Sequence, residues 1–66
     1  MTKTYRISGP DDEVAVASLA DELSMVEGAH EVDIDIEQGI LTVVGFIFTD
    51  EDVRLAAVNA GYELHY

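Results

Sequence analysis

The chain contains no cysteine among its 66 residues. Without thiol groups it forms neither disulfides nor zinc sites built on cysteine pairs. Soft ions such as Cu(I) are selected in proteins by sulfur ligands, above all thiolates. The sequence therefore excludes any metal site that depends on cysteine.

Basic residues are also scarce, because three Lys and Arg stand against fourteen Asp and Glu. The formal net charge of -11 argues against nucleic-acid binding, which needs a basic face to neutralise phosphates. It also disfavours contact with an anionic membrane surface. We therefore expect the chain to bind no nucleic acid.

Two hypotheses explain the acidic composition. In a halophilic cytoplasm, about 1 M salt shortens the screening length to roughly 3 Å and removes most of the self-repulsion. Alternatively, an acidic face steers the protein to a basic partner. The acids are spread along the whole chain rather than gathered in one block, which favours the halophilic hypothesis.

The halophilic hypothesis predicts that the melting temperature rises as KCl is increased from low to molar concentration. Salt screens the repulsion within a chain of charge -11. The rise in melting temperature should therefore exceed the change that screening of a few charged pairs would produce. Thermal unfolding at several KCl concentrations measures the effect. A melting temperature that stays flat across this range would contradict the hypothesis.

Long apolar runs are missing as well. None approaches the roughly 18 residues that a membrane-spanning helix needs. The first residues, Met1 to Tyr5, lack the apolar core of a signal peptide. We expect one cytoplasmic domain over residues 1–66, with no membrane insertion.

Alternation of apolar and polar residues predicts four strands. The four segments are residues 3–8, 32–36, 40–44 and 62–66. Tyr5 and Ile7 share one face of the first segment, and Tyr62, Leu64 and Tyr66 share one face of the last. Each of these strands is therefore expected to bury one side.

Two further segments repeat apolar residues at helical spacing. The first contains Val16, Leu19, Ala20 and Leu23, and the second contains Val53, Ala56, Ala57 and Ala60. Asp11 or Asp12 can cap the first helix and Thr49 the second. The order β-α-β-β-α-β predicts an α+β fold, a ferredoxin-like sandwich with two helices packed on one face of a four-stranded antiparallel sheet.

The positions of four glycines add a more specific signal. Gly9, Gly28, Gly45 and the pair Gly61-Tyr62 stand together as in the heavy-metal-associated domain family, which includes copper chaperones and the amino-terminal modules of metal pumps. The chain resembles this family over nearly its whole length. The resemblance implies the ferredoxin-like fold and a role in metal transport or detoxification.

The resemblance fails in the loop that carries the family's metal. Family members hold the ion in a Gly-Met-Thr-Cys-x-x-Cys loop after the first strand. Here Pro10 and Asp11 replace the Met and Thr, and Asp12 and Ala15 stand at the two cysteine positions. The resemblance therefore implies a degenerate site that has kept the fold and lost the thiolate ligands.

Three carboxylates in this loop are candidates for a different metal. Asp11, Asp12 and Glu13 offer the oxygen ligands that Mg²⁺ or Ca²⁺ prefers, which allows a weak divalent-metal site. The competing interpretation is helix capping and a favourable interaction with the helix dipole. Capping is favoured, because no Asp-x-Asp-x-Asp-Gly loop is present to fold the carboxylates around one ion.

The imidazole and thioether groups are the remaining candidate ligands. His30, His65, Met1 and Met25 could in principle form a copper site. No spacing brings the histidines together, so we interpret both as solvated surface residues. Met25 is expected to fill a gap at the end of the first helix.

Partner-binding candidates come from the loop and from one apolar cluster. They are Pro10, Asp11, Asp12, Tyr62, Phe46 and Phe48. Tyr62 is expected to cap the thin core or to face a partner. In Phe46-Ile47-Phe48, at least one side chain should be exposed and could mark an interface, while one or two could pack in the core.

No catalytic pattern is present. Ser8 has no histidine nearby in sequence, and no Gly-rich phosphate loop occurs. We therefore predict a non-enzymatic binding or regulatory module, monomeric or weakly dimeric, whose partner could be the soluble domain of a metal pump. The alternative is a genuine metal-binding or transfer protein that uses Asp, Glu, His or Met ligands.

Overall fold

The computed structural model describes residues 1–65, which form four strands and two helices. The elements are β1 (Thr2–Ser8), α1 (Glu13–Ser24), β2 (Ala29–Asp35), β3 (Ile40–Gly45), α2 (Asp50–Asn59) and β4 (Glu63–His65). The strands form one antiparallel sheet in the order β2-β3-β1-β4. The predicted ferredoxin-like order and architecture are confirmed.

The core lies between the helices and one face of the sheet. Alternate strand residues point into it, including Tyr5, Ile7, Leu41, Val43 and Leu64. From the helices, Leu19, Leu23, Val53 and Ala57 are fully buried at 0% exposure, as the helical spacing predicts. The predicted burial of Tyr66 lies outside the described residues.

Both helices begin where the sequence predicts a cap. The Asp12 side chain accepts a hydrogen bond from the backbone amide of Ala15 at 3.1 Å. The Thr49 hydroxyl accepts one from the amide of Asp52 at 3.2 Å. Of the two candidates at the first helix, Asp12 rather than Asp11 is the cap, because only the residue directly before the helix can reach its free amide groups.

The connections gather at the two ends of the sheet. At one end, which we call the loop end, the β1–α1 loop lies beside the β2–β3 turn, and the amide of Ile7 donates to the carbonyl of Gly39 at 2.9 Å. At the opposite, distal end, the amide of Phe46 donates to the carbonyl of Gly28 at 2.8 Å. In residues 1–65, neither helix has the length and hydropathy that crossing a bilayer requires.

A polar cluster fixes the start of α2 against the sheet. Lys3 and Tyr5 both donate to Asp50 Oδ1, at 2.9 and 2.7 Å. These two hydrogen bonds, that of Lys3 first, hold the pKa of Asp50 below its ordinary value of 3.8. The cluster therefore joins the first strand to the first turn of the second helix.

Candidate functional site

The loop between β1 and α1 is the candidate site, because it stands where the resembled family holds its metal. Pro10, Asp11 and Asp12 are all exposed in it. The two positions that correspond to ligands are adjacent in space, since Asp12 Oδ1 lies 3.1 Å from the amide nitrogen of Ala15. One position therefore carries a carboxylate that caps the helix, and the other carries a methyl group.

Tyr62 contacts this loop from the side of the core. Its ring is only 3% exposed, and its hydroxyl donates to the carbonyl of Pro10. A Cβ atom on Gly9 would lie 2.5 Å from Cδ2 of the Tyr62 ring, so the ring packs directly against the glycine backbone. The loop is thus fixed at Pro10 by Tyr62 and at Asp12 by the helix cap.

The environment of Tyr62 keeps its hydroxyl protonated. Burial raises its pKa above the ordinary value of 10.0, and the negative charges of Asp12 and Asp11 raise it further. A protonated phenol remains a hydrogen-bond donor. The contact with Pro10 therefore persists across the physiological pH range.

Replacing Tyr62 with Phe is expected to lower the free energy of unfolding by about 1 kcal/mol, the net value of one hydrogen bond. Because the folded-state pKa of Tyr62 is raised, the stabilisation is present below pH 10.0 and is lost as pH rises through the folded-state value. Denaturant unfolding of both proteins from neutral to alkaline pH measures the difference. The same neutral stability and the same alkaline loss in both proteins would contradict the role of the hydroxyl.

The loop carboxylates do not form a metal cage. Among residues 1–65, no three His, Asp or Glu side chains are arranged to hold a metal ion. Asp11, Asp12 and Glu13 also stand at the start of α1, where the positive end of the helix dipole disfavours a cation. The weak divalent-metal site stays a prediction.

The two histidines lie on opposite edges of the sheet. His30 is in β2 and His65 in β4, the first and last strands of the sheet order. His65 does have a partner that sequence reasoning missed, since its Nε2 atom lies 3.2 Å from Ser8 Oγ. Within residues 1–65 no carboxylate hydrogen bonds to the His65 ring, so the pair lacks the group that orients a catalytic histidine.

The apolar cluster at the distal end divides between surface and core. Phe46 and Ile47 are 76% and 72% exposed, whereas Phe48 is 5% exposed. Phe48 therefore packs in the core, one of the two alternatives that the sequence left open, and a partner contact at this residue stays a prediction. Phe48 directly precedes the Thr49 cap and stands five residues before buried Val53, which is the spacing of a hydrophobic staple.

The interpretation of Met25 needs revision, whereas Tyr62 follows one of its two predicted alternatives. Met25 is 75% exposed and does not fill a gap at the end of α1, where Val26 is the buried residue. Tyr62 packs in the core, so its contribution to any partner surface is to position Pro10 rather than to present its own ring. Phe46 lies at the distal end, away from the loop, so the six partner candidates do not form one surface.

Comparison with solved structures identifies the fold. The chain is similar to the CopZ metallochaperone, with a TM-score of 0.90, 15% identity and coverage of 98% of this chain and 100% of that one. It is similar to the CsoZ metallochaperone (TM-score 0.87, 24% identity, coverage of 100% and 97%). A copper binding domain from HMA7, a P-type ATPase, gives a TM-score of 0.87 at 20% identity, with coverage of 97% and 89%.

No protein-family model matches the sequence, and no curated protein matches it. At these low identities the structural likeness establishes the fold alone. The resemblance to heavy-metal-associated domains is thereby confirmed as a likeness of fold.

Proposed function

We propose that this chain is a non-enzymatic binding or regulatory module of metal transport, which docks a protein partner at its loop end and carries no soft metal ion itself. One observation supports this above the others. The β1–α1 loop keeps its place in the fold, while its two ligand positions hold a helix-capping Asp12 and the methyl group of Ala15. Neither side chain binds Cu(I).

The proposed docking surface consists of Pro10, Asp11, Asp12 and Val14, which we call the loop-end surface. The side chain of Val14 is 76% exposed in the first turn of α1. Hydrogen bonds fix the loop at Pro10 and at Asp12, so little chain entropy is lost when a partner binds. An exposed apolar group beside two carboxylates suits a partner that presents an apolar contact flanked by basic groups.

Nuclear magnetic resonance tests the proposal with a defined partner. Isotope-labelled protein is titrated with the purified cytosolic domain of a copper pump from the same genome, in the presence of a copper chelator. We expect shifts of amide signals confined to residues 9–15 and 61–62, without any metal. If no such pump domain produces saturable shifts, the proposal is contradicted.

Two charge-reversal variants separate docking from general electrostatics. Asp11→Lys changes the loop-end surface, and Asp33→Lys makes the same change at an exposed position of β2. We expect Asp11→Lys to weaken pump-domain binding roughly tenfold, in the range measured for interface charges. Equal weakening by both variants would show that only net charge matters.

The alternative function is metal binding through carboxylates at Asp11, Asp12 and Glu13. The observation in its favour is that three acidic side chains follow one another at the start of α1, and all three are exposed. Titration with Mg²⁺ and Ca²⁺ at high KCl distinguishes the two functions. We expect small shifts spread over all the acidic residues, whereas saturation confined to these three would favour the alternative.

A further inference from the structure

The distal end carries a surface groove that the loop-end surface does not use. It lies between the end of α1 and the side of α2 that runs from Asp52 to Asn59, and it has a volume of about 300 Å³. Met25, Val26, Leu55 and Ala56 contribute its apolar lining. Its size is at the lower end of that of ligand pockets, which is enough for individual side chains of a partner.

A second depression continues this groove toward the β3–α2 connection. The two share Glu27 and Asp52 as lining residues, and Ile47 and buried Phe48 line the second one. The continuous surface, which we call the distal groove, is defined by Met25, Ile47 and Leu55 with Glu22, Glu27 and Asp52.

Three apolar side chains of the distal groove are exposed to solvent. Met25 is 75% exposed, Ile47 72% and Leu55 46%. Each leaves apolar area in water that contact with a partner would bury, at about 25 cal/mol per Å². Apolar side chains that gather around one groove and are bordered by polar residues mark an interaction surface.

The charge of the distal groove selects the partner. Three carboxylates line it, those of Glu22, Glu27 and Asp52, and no Lys, Arg or His is among the described residues that line it. The basic side chains in and beside α2 have acidic partners of their own, Arg54 with Glu51 and Lys3 with Asp50. The groove is therefore negatively charged and also presents apolar side chains.

This charge argues against two other occupants. A second copy of the chain would bring another formal charge of -11 to the contact, so self-association here is opposed by repulsion. An anionic lipid surface is repelled in the same way. A cationic protein segment is attracted instead.

We propose that the distal groove binds a cationic amphipathic helix of a protein partner. Its apolar side chains pack among Met25, Ile47 and Leu55, and its Lys or Arg side chains pair with Glu22, Glu27 and Asp52. Because the groove shares no lining residue with the loop-end surface, both surfaces can be occupied at once. The proposal does not depend on the function of the loop end.

A synthetic helical peptide of Leu and Lys, with the two residue types on opposite faces, is the probe. Titrated into the isotope-labelled protein, it is expected to shift the amide signals of residues 22–27, 47 and 52–56 saturably and at lower peptide concentration than those of residues 9–12. A peptide with Ser in place of Leu tests charge alone, and one with Gln in place of Lys tests apolar contact alone. Both are expected to bind more weakly, by about tenfold or more. Equal binding of the Ser peptide, or shifts spread over all the acidic residues, would overturn the proposal.

Matched variants locate the contact. Ile47→Ser is expected to weaken peptide binding roughly tenfold, the effect of losing one buried aliphatic side chain. Val58→Ser, the same kind of change at a position of α2 that is 49% exposed and does not line the groove, should leave binding unchanged. Both positions are exposed, so both variants should fold. Equal effects of the two variants would overturn the proposal.

Charge variants test whether the carboxylates of the groove contribute to peptide binding. Glu27→Gln with Asp52→Asn should weaken peptide binding, whereas Glu31→Gln with Asp33→Asn, at exposed positions of β2, should not.

Sedimentation should show a monomer, and neutral phosphatidylcholine vesicles should not shift the signals of the groove. A dimer that Ile47→Ser dissociates, or vesicle binding lost in that variant, would assign the groove to a different occupant and overturn the proposal.

Discussion

Replacing Asp12 and Ala15 together with cysteine is expected to turn this protein into a stoichiometric Cu(I) binder. The two positions are three residues apart at the start of α1, and Asp12 Oδ1 already lies 3.1 Å from the backbone of Ala15. Thiols at a helix amino terminus have lowered pKa values and are present largely as thiolates, the form that binds metal. Competition with a chelator of known Cu(I) affinity measures the gain.

The control for this variant places the same pair of thiols at the other end of the helix. Asp21→Cys with Ser24→Cys keeps the spacing of three residues at exposed positions, but in the last turn, where the helix dipole disfavours thiolates. We expect this pair to compete much less well for Cu(I). If both pairs bind alike, the β1–α1 loop has no special capacity to hold the ion.

Replacing Gly28 or Gly45 with alanine is expected to remove much of the protein's free energy of unfolding. Gly28 has φ +90, and a Cβ there would lie 1.7 Å from the carbonyl oxygen of Ile47; a Cβ on Gly45 would lie 2.1 Å from the carbonyl oxygen of Gly28. Because these neighbours are backbone atoms, either clash is relieved only if the α1–β2 and β3–α2 connections move apart. A domain of this length has about 3–10 kcal/mol of stability, and we expect a loss of about 4 kcal/mol or more.

Gly61 provides the matched control for the glycine variants. It has φ +87, and a Cβ there would meet no atom within 4 Å. Gly61→Ala should therefore cost only the conformational penalty of about 1–2 kcal/mol. Denaturant unfolding of the three variants measures the losses, and a Gly28→Ala loss no greater than that of Gly61→Ala would contradict the close approach.

The sequence was sufficient to predict the fold because its local signals agree with one another. Tyr5 and Ile7, two residues apart, are predicted to be buried in β1, and Leu19 and Leu23 are predicted to be buried in α1. The structure buries all four side chains. The Thr49 cap likewise depends only on residues within one helical turn. Such signals are short in range and can be read without knowing how the elements pack.

Contacts between distant segments could not be predicted in the same way. Ser8 and His65 are 57 positions apart, and their contact follows from the pairing of β1 with β4. Phe46 and Phe48 are chemically alike, and only the geometry of the β3–α2 connection decides that Phe48 enters the core. The one available signal was its position directly before the Thr49 cap.

The candidate site was predictable in chemistry and not in geometry. The absence of cysteine already excludes thiolate ligands at positions 12 and 15. That the Asp12 carboxylate caps α1, and that Tyr62 holds Pro10 from below, requires coordinates. The distal groove was missed because Met25 was expected to fill a core gap, whereas it lies exposed beside α2.

A Cu(I) titration of the unaltered protein against a competing chelator, with amide signals recorded at each step, tests most directly whether the protein lacks a soft-metal site. Our expectation is no submicromolar binding and no saturable shift at residues 9–15, since Asp12 and Ala15 offer no sulfur donor. Stoichiometric, submicromolar capture of Cu(I) beside Asp12 would contradict it.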